Sequence, residues 1–109
     1  NIIKNLKKHS NKEKYFFSSI KSNHRKFEEK RYWRGPVWIN CNWIIYQGLK
    51  NKDNRFANQI KKKTIDLVKQ KGFNEYFSCK TGKGFGATNF SWTASLFLDL
   101  IFENKYEQL

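Results

Sequence analysis

Two helix-length segments that are apolar on nearly every side, residues 36–49 and 91–102, constrain this chain more than anything else in it. The first carries Val37, Trp38, Ile39, Trp43, Ile44, Ile45 and Tyr46, and the second Trp92, Leu96, Phe97, Leu98, Leu100 and Ile101. A helix without a polar face is a buried helix. Between them, residues 55–71 are one-sided. Ala57, Ile60, Thr64, Leu67 and Val68 line one face, Lys61, Lys62, Lys63, Asp66, Lys69 and Gln70 fill the other, and Gly72 is a natural stop. The order inner, outer, inner predicts an all-α fold of the barrel kind, in which an inner ring of helices is wrapped by an outer ring. The two inner helices then run the same way, so the loops that precede them, 21–35 and 72–90, open at the same end.

Helices of this kind need neighbours on more faces than 109 residues can cover. The chain opens at Asn1 on Ile2-Ile3-Lys4-Asn5-Leu6, which reads as the end of a helix followed by a polar exit. The expectation is a single unit, residues 1–109, that forms one part of a longer barrel and needs the preceding part as its partner. Residues 15–31 show no persistent period and read as a long loop held by Tyr15, Phe16, Phe17 and Ile20.

At the entrance to the first inner helix stands Tyr32-Trp33-Arg34-Gly35-Pro36-Val37-Trp38. Proline suits the first turn of a helix, and Gly35 gives the backbone room to turn into it. Aromatic faces beside a guanidinium and indole N–H donors suit a sugar: its C–H faces stack on rings while its hydroxyls take hydrogen bonds. The plain alternative is that the rings are core, which for any single Trp is the better reading.

A net charge of +13 raises nucleic-acid binding. The charge is mostly Lys, with Arg25, Arg31, Arg34 and Arg55 the only arginines. Specific readers of bases lean on Arg, and no nucleic-acid motif is present. Abundant Lys, Asn and Ile are what AT-rich coding DNA would produce, so no specific nucleic-acid partner is expected. Aromatic content of 17% within 39% hydrophobic residues is enough for a core and argues against disorder. Cys41 and Cys79 have no metal-type spacing, so reduced thiols and a cytoplasmic address are the default. His9 and His24 lie among lysines and read as solvated surface. No apolar run reaches the length of a membrane span, and neither a metal nor a cofactor is expected.

The segment Lys80-Thr81-Gly82-Lys83-Gly84-Phe85-Gly86-Ala87-Thr88 invites a phosphate-loop reading that its spacing does not meet, and no strand is expected before it. A loop lying close over a ligand is the better use of its glycines. Glu75 stands at the start of this loop beside Tyr76 and Phe77, and a carboxylate in an aromatic setting suits general acid or base work. A surface Glu at a helix end is the plain alternative. Glu28 and Glu29 lie among Lys and Arg and read as a solvated face.

Taken together, these motifs resemble glycoside hydrolase family 63 and its relatives, a grouping that includes processing α-glucosidase and the mannosylglycerate and glucosylglycerate hydrolases. The resemblance rests on residues 32–40, then Glu75-Tyr76-Phe77, Thr81-Gly82-Lys83-Gly84 and Phe90-Ser91-Trp92-Thr93-Ala94, in order and at compatible spacing. It implies an (α/α)6 barrel, of which this chain is a C-terminal part, and inverting hydrolysis of an α-glycosidic bond. It implies Glu75 as general base, and Tyr32, Trp33, Arg34, Trp38 and Trp92 as substrate-binding residues. The substrate class it implies is a glycosyl-glycerate or another small α-glucoside or α-mannoside. The chain departs from the family where Ser78-Cys79 replaces a common Asp-Pro. The family's general acid is an Asp on an earlier part of the barrel, and none of Asp53, Asp66 and Asp99 lies in a matching motif. A basic, non-catalytic module that binds carbohydrate or nucleic acid is the alternative reading.

Overall fold

Two helices of this chain each start at a side chain that satisfies orphan N–H groups. In the computed structural model, which describes residues 1–107 with side chains through Glu103, Asn1 caps α1 (Ile2–Asn11) and accepts from the amides of Ile3 at 2.9 Å and Lys4 at 3.3 Å. Residues 2–6 lie within this helix, which runs on to Asn11. Asp53 caps α3 (Asn54–Lys71) by accepting from the Phe56 amide at 3.1 Å. Gly72 stops that helix with φ +91, a conformation that favours glycine.

The first inner helix, α2, spans Ile39–Leu49 and starts later than Pro36. The residues ahead of it are extended because Val37 has partners elsewhere. Its N–H donates to the Phe77 carbonyl at 2.7 Å, and its carbonyl accepts from the Phe77 amide at 2.9 Å. Pro36 is buried in the same extended run, and its carbonyl accepts from the Ser19 amide at 3.0 Å. Proline has no N–H to leave unsatisfied there.

The sequence predicts no strand before the glycine-rich loop, and here the structure corrects it. Strand β1 (Tyr76–Phe77) pairs antiparallel with β2 (Gly84–Phe85), and isolated bridges extend the pairing through Val37 to Ser18. Four distant segments thus meet in a ladder about one residue wide: Ser18, Val37, Phe77 and Gly84. Helix α4 (Ser91–Glu107) follows, its first turn tied to the segment between α3 and β1 by the bond from Thr93 Oγ1 to the Asn74 carbonyl at 2.7 Å.

Helices α2, α3 and α4 pack on one another. Trp43 Nε1 donates to Asp99 at 2.8 Å and Tyr46 OH to Glu103 at 2.6 Å, so the pairs advance together along α2 and α4. The two helices therefore run parallel, as the inner-outer-inner order predicts. The buried face of α3 is Phe56, Ala57, Ile60, Thr64, Leu67 and Val68, which adds only Phe56 to the expected set. Asn42, 1% exposed, donates to the Phe16 carbonyl and to Thr64 Oγ1 while accepting from the Phe17 amide, and so ties the long loop of residues 15–31 to α2 and α3. Ile44, Leu98 and Ile101 remain exposed, so the inner helices keep uncovered apolar faces.

His9 and Glu29 lie elsewhere than expected. The His9 side chain is largely covered, with Nε2 2.9 Å from both Glu13 Oε1 and Ser18 Oγ, because α1 folds back onto the Ser18 bridge. Glu29 turns inward to Ser78, whereas Glu28 stays exposed beside Arg31 and Arg34. Cys41 and Cys79 are free thiols, and burial pushes Cys79 up to about 11. Among the described residues no helix is long and apolar enough to cross a membrane.

Glu103 is the charged centre of the bundle. It is buried and accepts from Tyr46 OH, from Lys50 Nζ at 3.0 Å and from Lys61 Nζ at 3.0 Å, which joins α2, α3 and α4. Desolvation raises its carboxyl, but the hydrogen bonds from Tyr46, Lys50 and Lys61 outweigh it and hold the group below its ordinary 4.5. A carboxyl lowered on folding adds stability above its unfolded value and loses it as the pH falls through the folded value. Glu103→Gln should therefore flatten the acid limb of a Tm-against-pH profile below about 4.5. At pH 7 it should cost about 2–4 kcal/mol in urea unfolding, because it leaves two lysine amines facing a neutral group.

Candidate functional site

The site is built where the entrance to α2 meets the start of β1. Because Val37 pairs with Phe77, the flanking residues Trp38 and Tyr76 lie side by side. Their rings stack with centroids 5.0 Å apart and planes at 25°. Trp33 stacks on Trp38 at 3.9 Å and 14°, and Tyr32 stands edge-on to Trp33, Trp38 and Tyr76 at 5.6, 4.8 and 5.4 Å. Each such pair is worth about 0.5–1.5 kcal/mol beyond the area it buries. The adjacency expected between the two loops is thus present in the structure.

Trp38 has a different place from the open wall that the sequence suggests. It is 2% exposed, stacked with Trp33 and Tyr76, and its Nε1 donates to the Tyr32 carbonyl at 2.8 Å. Its indole N–H is therefore committed to the protein and its ring backs the surface. The open ring area belongs to Trp33 at 43% and Tyr32 at 47% exposure. Tyr32 is also held at φ +38, in the left-handed region that non-glycine residues rarely adopt. The Trp38 bond to its carbonyl and three ring contacts hold it there. A residue kept in such a conformation by its surroundings is a marker of functional sites.

Glu75 closes the arrangement. Its amide donates to the Ala87 carbonyl at 2.9 Å and its Oε2 accepts from the Ala87 amide at 2.9 Å, so backbone holds the side chain against the glycine-rich loop. Tyr32 faces the same carboxylate. Desolvation pushes its phenol above the ordinary value of 10.0, and the negative charge of nearby Glu75 pushes in the same direction. The result is a half-buried carboxylate next to exposed rings, with one oxygen anchored by a backbone amide.

Two expected site residues stand apart. Arg34 turns to its own loop, with Nη1 3.7 Å from Glu28 Oε2 and Nε donating to the Lys26 carbonyl at 3.3 Å. Trp92, on the first turn of α4, is 49% exposed and shares no ring contact with the stack among the described residues. The sequence reading misses the roles of Tyr76 in the stack and of Ala87 in holding Glu75. The run of glycines after Glu75-Tyr76-Phe77 is the signal that could have found the latter: a Cβ on Gly86 would lie 2.6 Å from Glu75 Oε2.

The sequence of residues 1–93 matches the model of the mannosylglycerate hydrolase MGH1-like glycoside hydrolase domain. The chain belongs to this family. Curated members of similar sequence include the mannosylglycerate hydrolase of Rubrobacter radiotolerans, 42% identical over 71% of this chain and 18% of the relative. Another is the mannosylglycerate hydrolase of Thermus thermophilus, 40% identical over 80% of this chain and 21% of the relative. The solved glycoside hydrolase family 63 mannosylglycerate hydrolase of Thermus thermophilus in complex with Tris and D-glycerate superposes with a TM-score of 0.83 and 33% identity. That match covers 94% of this chain and 24% of the other. The chain thus spans about a fifth of the length of the curated relatives it matches.

Within this family member, the glycine-rich loop and Glu75 are fitted to each other so closely that the loop cannot take a side chain. A Cβ on Gly86 would also meet Tyr76 Cε1 at 2.8 Å, and Gly86 sits at φ +73. Gly86→Ala should therefore lose about 1–2 kcal/mol of stability in urea unfolding, while Gly48→Ala, with open space at its Cβ and a helical backbone, should be neutral or slightly stabilising.

Proposed function

We propose that this chain supplies the general-base side of the active site of an inverting α-glycoside hydrolase of the family 63 kind. Its substrate in this reading is a glycosyl-glycerate or another small α-glucoside or α-mannoside. The observation that carries the reading is the placement of Glu75, anchored to the Ala87 backbone, next in sequence to Tyr76, whose ring meets Tyr32 beside the open faces of Tyr32 and Trp33. A sugar stacked on those faces has its anomeric carbon within reach of a water that Glu75 can deprotonate. The anchoring of Glu75 Oε2 by the Ala87 amide leaves the other oxygen for that water. In an inverting displacement the water attacks from the face opposite the leaving group, so the acid that protonates the leaving oxygen stands about 6.5–9.5 Å from the base.

That acid comes, in this proposal, from the preceding part of an (α/α)6 barrel, of which this chain is the C-terminal portion. The uncovered faces at Ile44, Leu98 and Ile101 support it, since helices in an inner ring are covered by their neighbours. Trp38 acts as the backing of Trp33, Arg34 braces the loop through Glu28, and Trp92, exposed at the start of α4, offers a separate ring to the substrate. The chain on its own, holding one carboxylate of the pair, is inactive in this reading. The free thiols Cys41 and Cys79 fit a reducing, cytoplasmic setting.

The substrate class rests on relatives whose names are mannosylglycerate hydrolase and glucosylglycerate hydrolase. In the full-length protein, hydrolysis of an α-mannosyl- or α-glucosyl-glycerate followed by NMR should show the β-anomer of the sugar as first product. Glu75→Gln keeps the size and removes the basicity, so it should lower kcat by about 10²-fold or more with little change in KM. Trp33→Ala should raise KM, at a cost of about 1–3 kcal/mol in kcat/KM. Near-normal turnover by Glu75→Gln, or an α-anomeric first product, would remove Glu75 from the role of base.

A further inference from the structure

The one-residue ladder at Val37 and Phe77 cannot by itself hold two loops at a fixed angle. A ladder one residue wide gives little leverage against rotation about the line of its hydrogen bonds. Yet Glu75 and the Trp33 face, which belong to different loops, must be held within a few tenths of an ångström for water attack to be efficient. Ring contacts between the loops are less directional than a hydrogen bond, and the structure contains a directional contact outside the ring stack.

That contact is the hydrogen bond from Ser78 Oγ to Glu29 Oε1 at 2.6 Å, a hydroxyl donating to a carboxylate. Both ends are rigidly mounted. Ser78 is 0% exposed, and its hydroxyl oxygen accepts from the amides of Lys80 and Thr81 at 3.1 Å each. Its own amide donates to the Lys83 carbonyl at 2.8 Å and its carbonyl accepts from the Gly82 amide at 2.9 Å, so it is the hub of the turn between β1 and β2.

On the other side, the amide of Glu28 donates to the Arg34 carbonyl at 2.7 Å and that of Arg31 to the Glu28 carbonyl at 3.1 Å. Gly35 lies so tightly against the same stretch of chain that a Cβ there would meet the Glu28 carbonyl at 2.1 Å and Glu29 Cα at 3.2 Å. Residues 28–35 are therefore one closed loop, with Glu29 fixed relative to Tyr32 and Trp33.

We propose that Glu29 is a positioning residue: through Ser78 it locks the loop that carries Glu75 to the loop that carries Tyr32 and Trp33. The bond gives the frame a directional point beside the Val37–Phe77 bridge and the ring contacts of Tyr76, and together they set the distance from Glu75 to the ring surface. Its catalytic meaning rests on the reading of Glu75 as base; the lock itself does not.

The test uses the full-length protein with Glu29→Ala, Glu29→Gln, Ser78→Ala and the Glu29→Ala/Ser78→Ala double variant. Hydrogen–deuterium exchange should show faster exchange in residues 80–83 when only Glu29 is replaced by Ala, and in residues 28–35 when only Ser78 is replaced. On a glycosyl-glycerate substrate, Glu29→Ala should lower kcat about tenfold with KM changed less than about threefold, since the ring surface survives while the base is misplaced. Glu29→Gln keeps an acceptor oxygen and should recover most of that loss. The double variant should be no worse than the poorer single one.

Exchange in residues 80–83 that is unchanged by Glu29→Ala would overturn the lock, as would kinetic losses that simply add. A loss of folding by Glu29→Ala would move the decision to Glu29→Gln and Ser78→Ala, where unlinked exchange in the two loops again overturns the proposal. A full-length protein that hydrolyses no glycosyl-glycerate would instead refute the assigned reaction, and cross-loop exchange alone would then decide the lock.

Discussion

The reciprocal pair of hydrogen bonds between Val37 and Phe77, 2.7 and 2.9 Å long and fully buried, is the interaction on which the rest depends. It holds the chain extended before α2 and sets where that helix begins. It also brings Trp38 against Tyr76, and thereby the ring surface against Glu75. Both residues are 0% exposed, so the bonds stand where water cannot compete, and losing either partner would strand a backbone donor and acceptor in the core. Ser18 and Gly84 extend the pairing on either side, which draws the long loop and the glycine-rich loop into the same small sheet.

Polar groups inside the bundle perform a related task for the helices. Apolar side chains such as Leu49, Ile60 and Leu100 drive packing but tolerate sliding, because hydrophobic attraction has no direction. Asn42 and Glu103 are directional. Asn42 has its amide satisfied by two loop backbone groups and Thr64, and Glu103 joins a tyrosine and two lysines from α2 and α3. A shift of one residue in any of these helices would leave buried polar atoms without partners, which is more costly than the bonds are favourable. The parallel arrangement of α2 and α4 is thereby held in register.

Order at the site is achieved at some local cost. Tyr32 sits at positive φ, Gly86 is pressed against Glu75, and Gly35 against the backbone of Glu28. These positions have in common that backbone must approach backbone or carboxylate more closely than a side chain would allow. The same crowding leaves Glu75 anchored on one oxygen, with Tyr32 as its neighbour, rather than free to rotate in solvent.

Much of the architecture is written locally. The face of α3, the stop at Gly72, the two apolar helices and the shared end of loops 21–35 and 72–90 all follow from signals that act within one or two helical turns. The motif around Glu75 and the run from Tyr32 to Trp38 likewise mark the family in the order of residues alone. Only the tertiary structure decided that Pro36 and Val37 are extended, that Trp38 backs the ring surface instead of opening onto it, that His9 is covered and that Glu29 turns inward to Ser78. The partners that settle these matters lie 40 residues away for Val37 and 49 for Glu29, and nine for His9. Helical periodicity reports on neighbours along the chain, whereas a bridge or a carboxylate is assigned by whichever distant group arrives with a matching hydrogen bond.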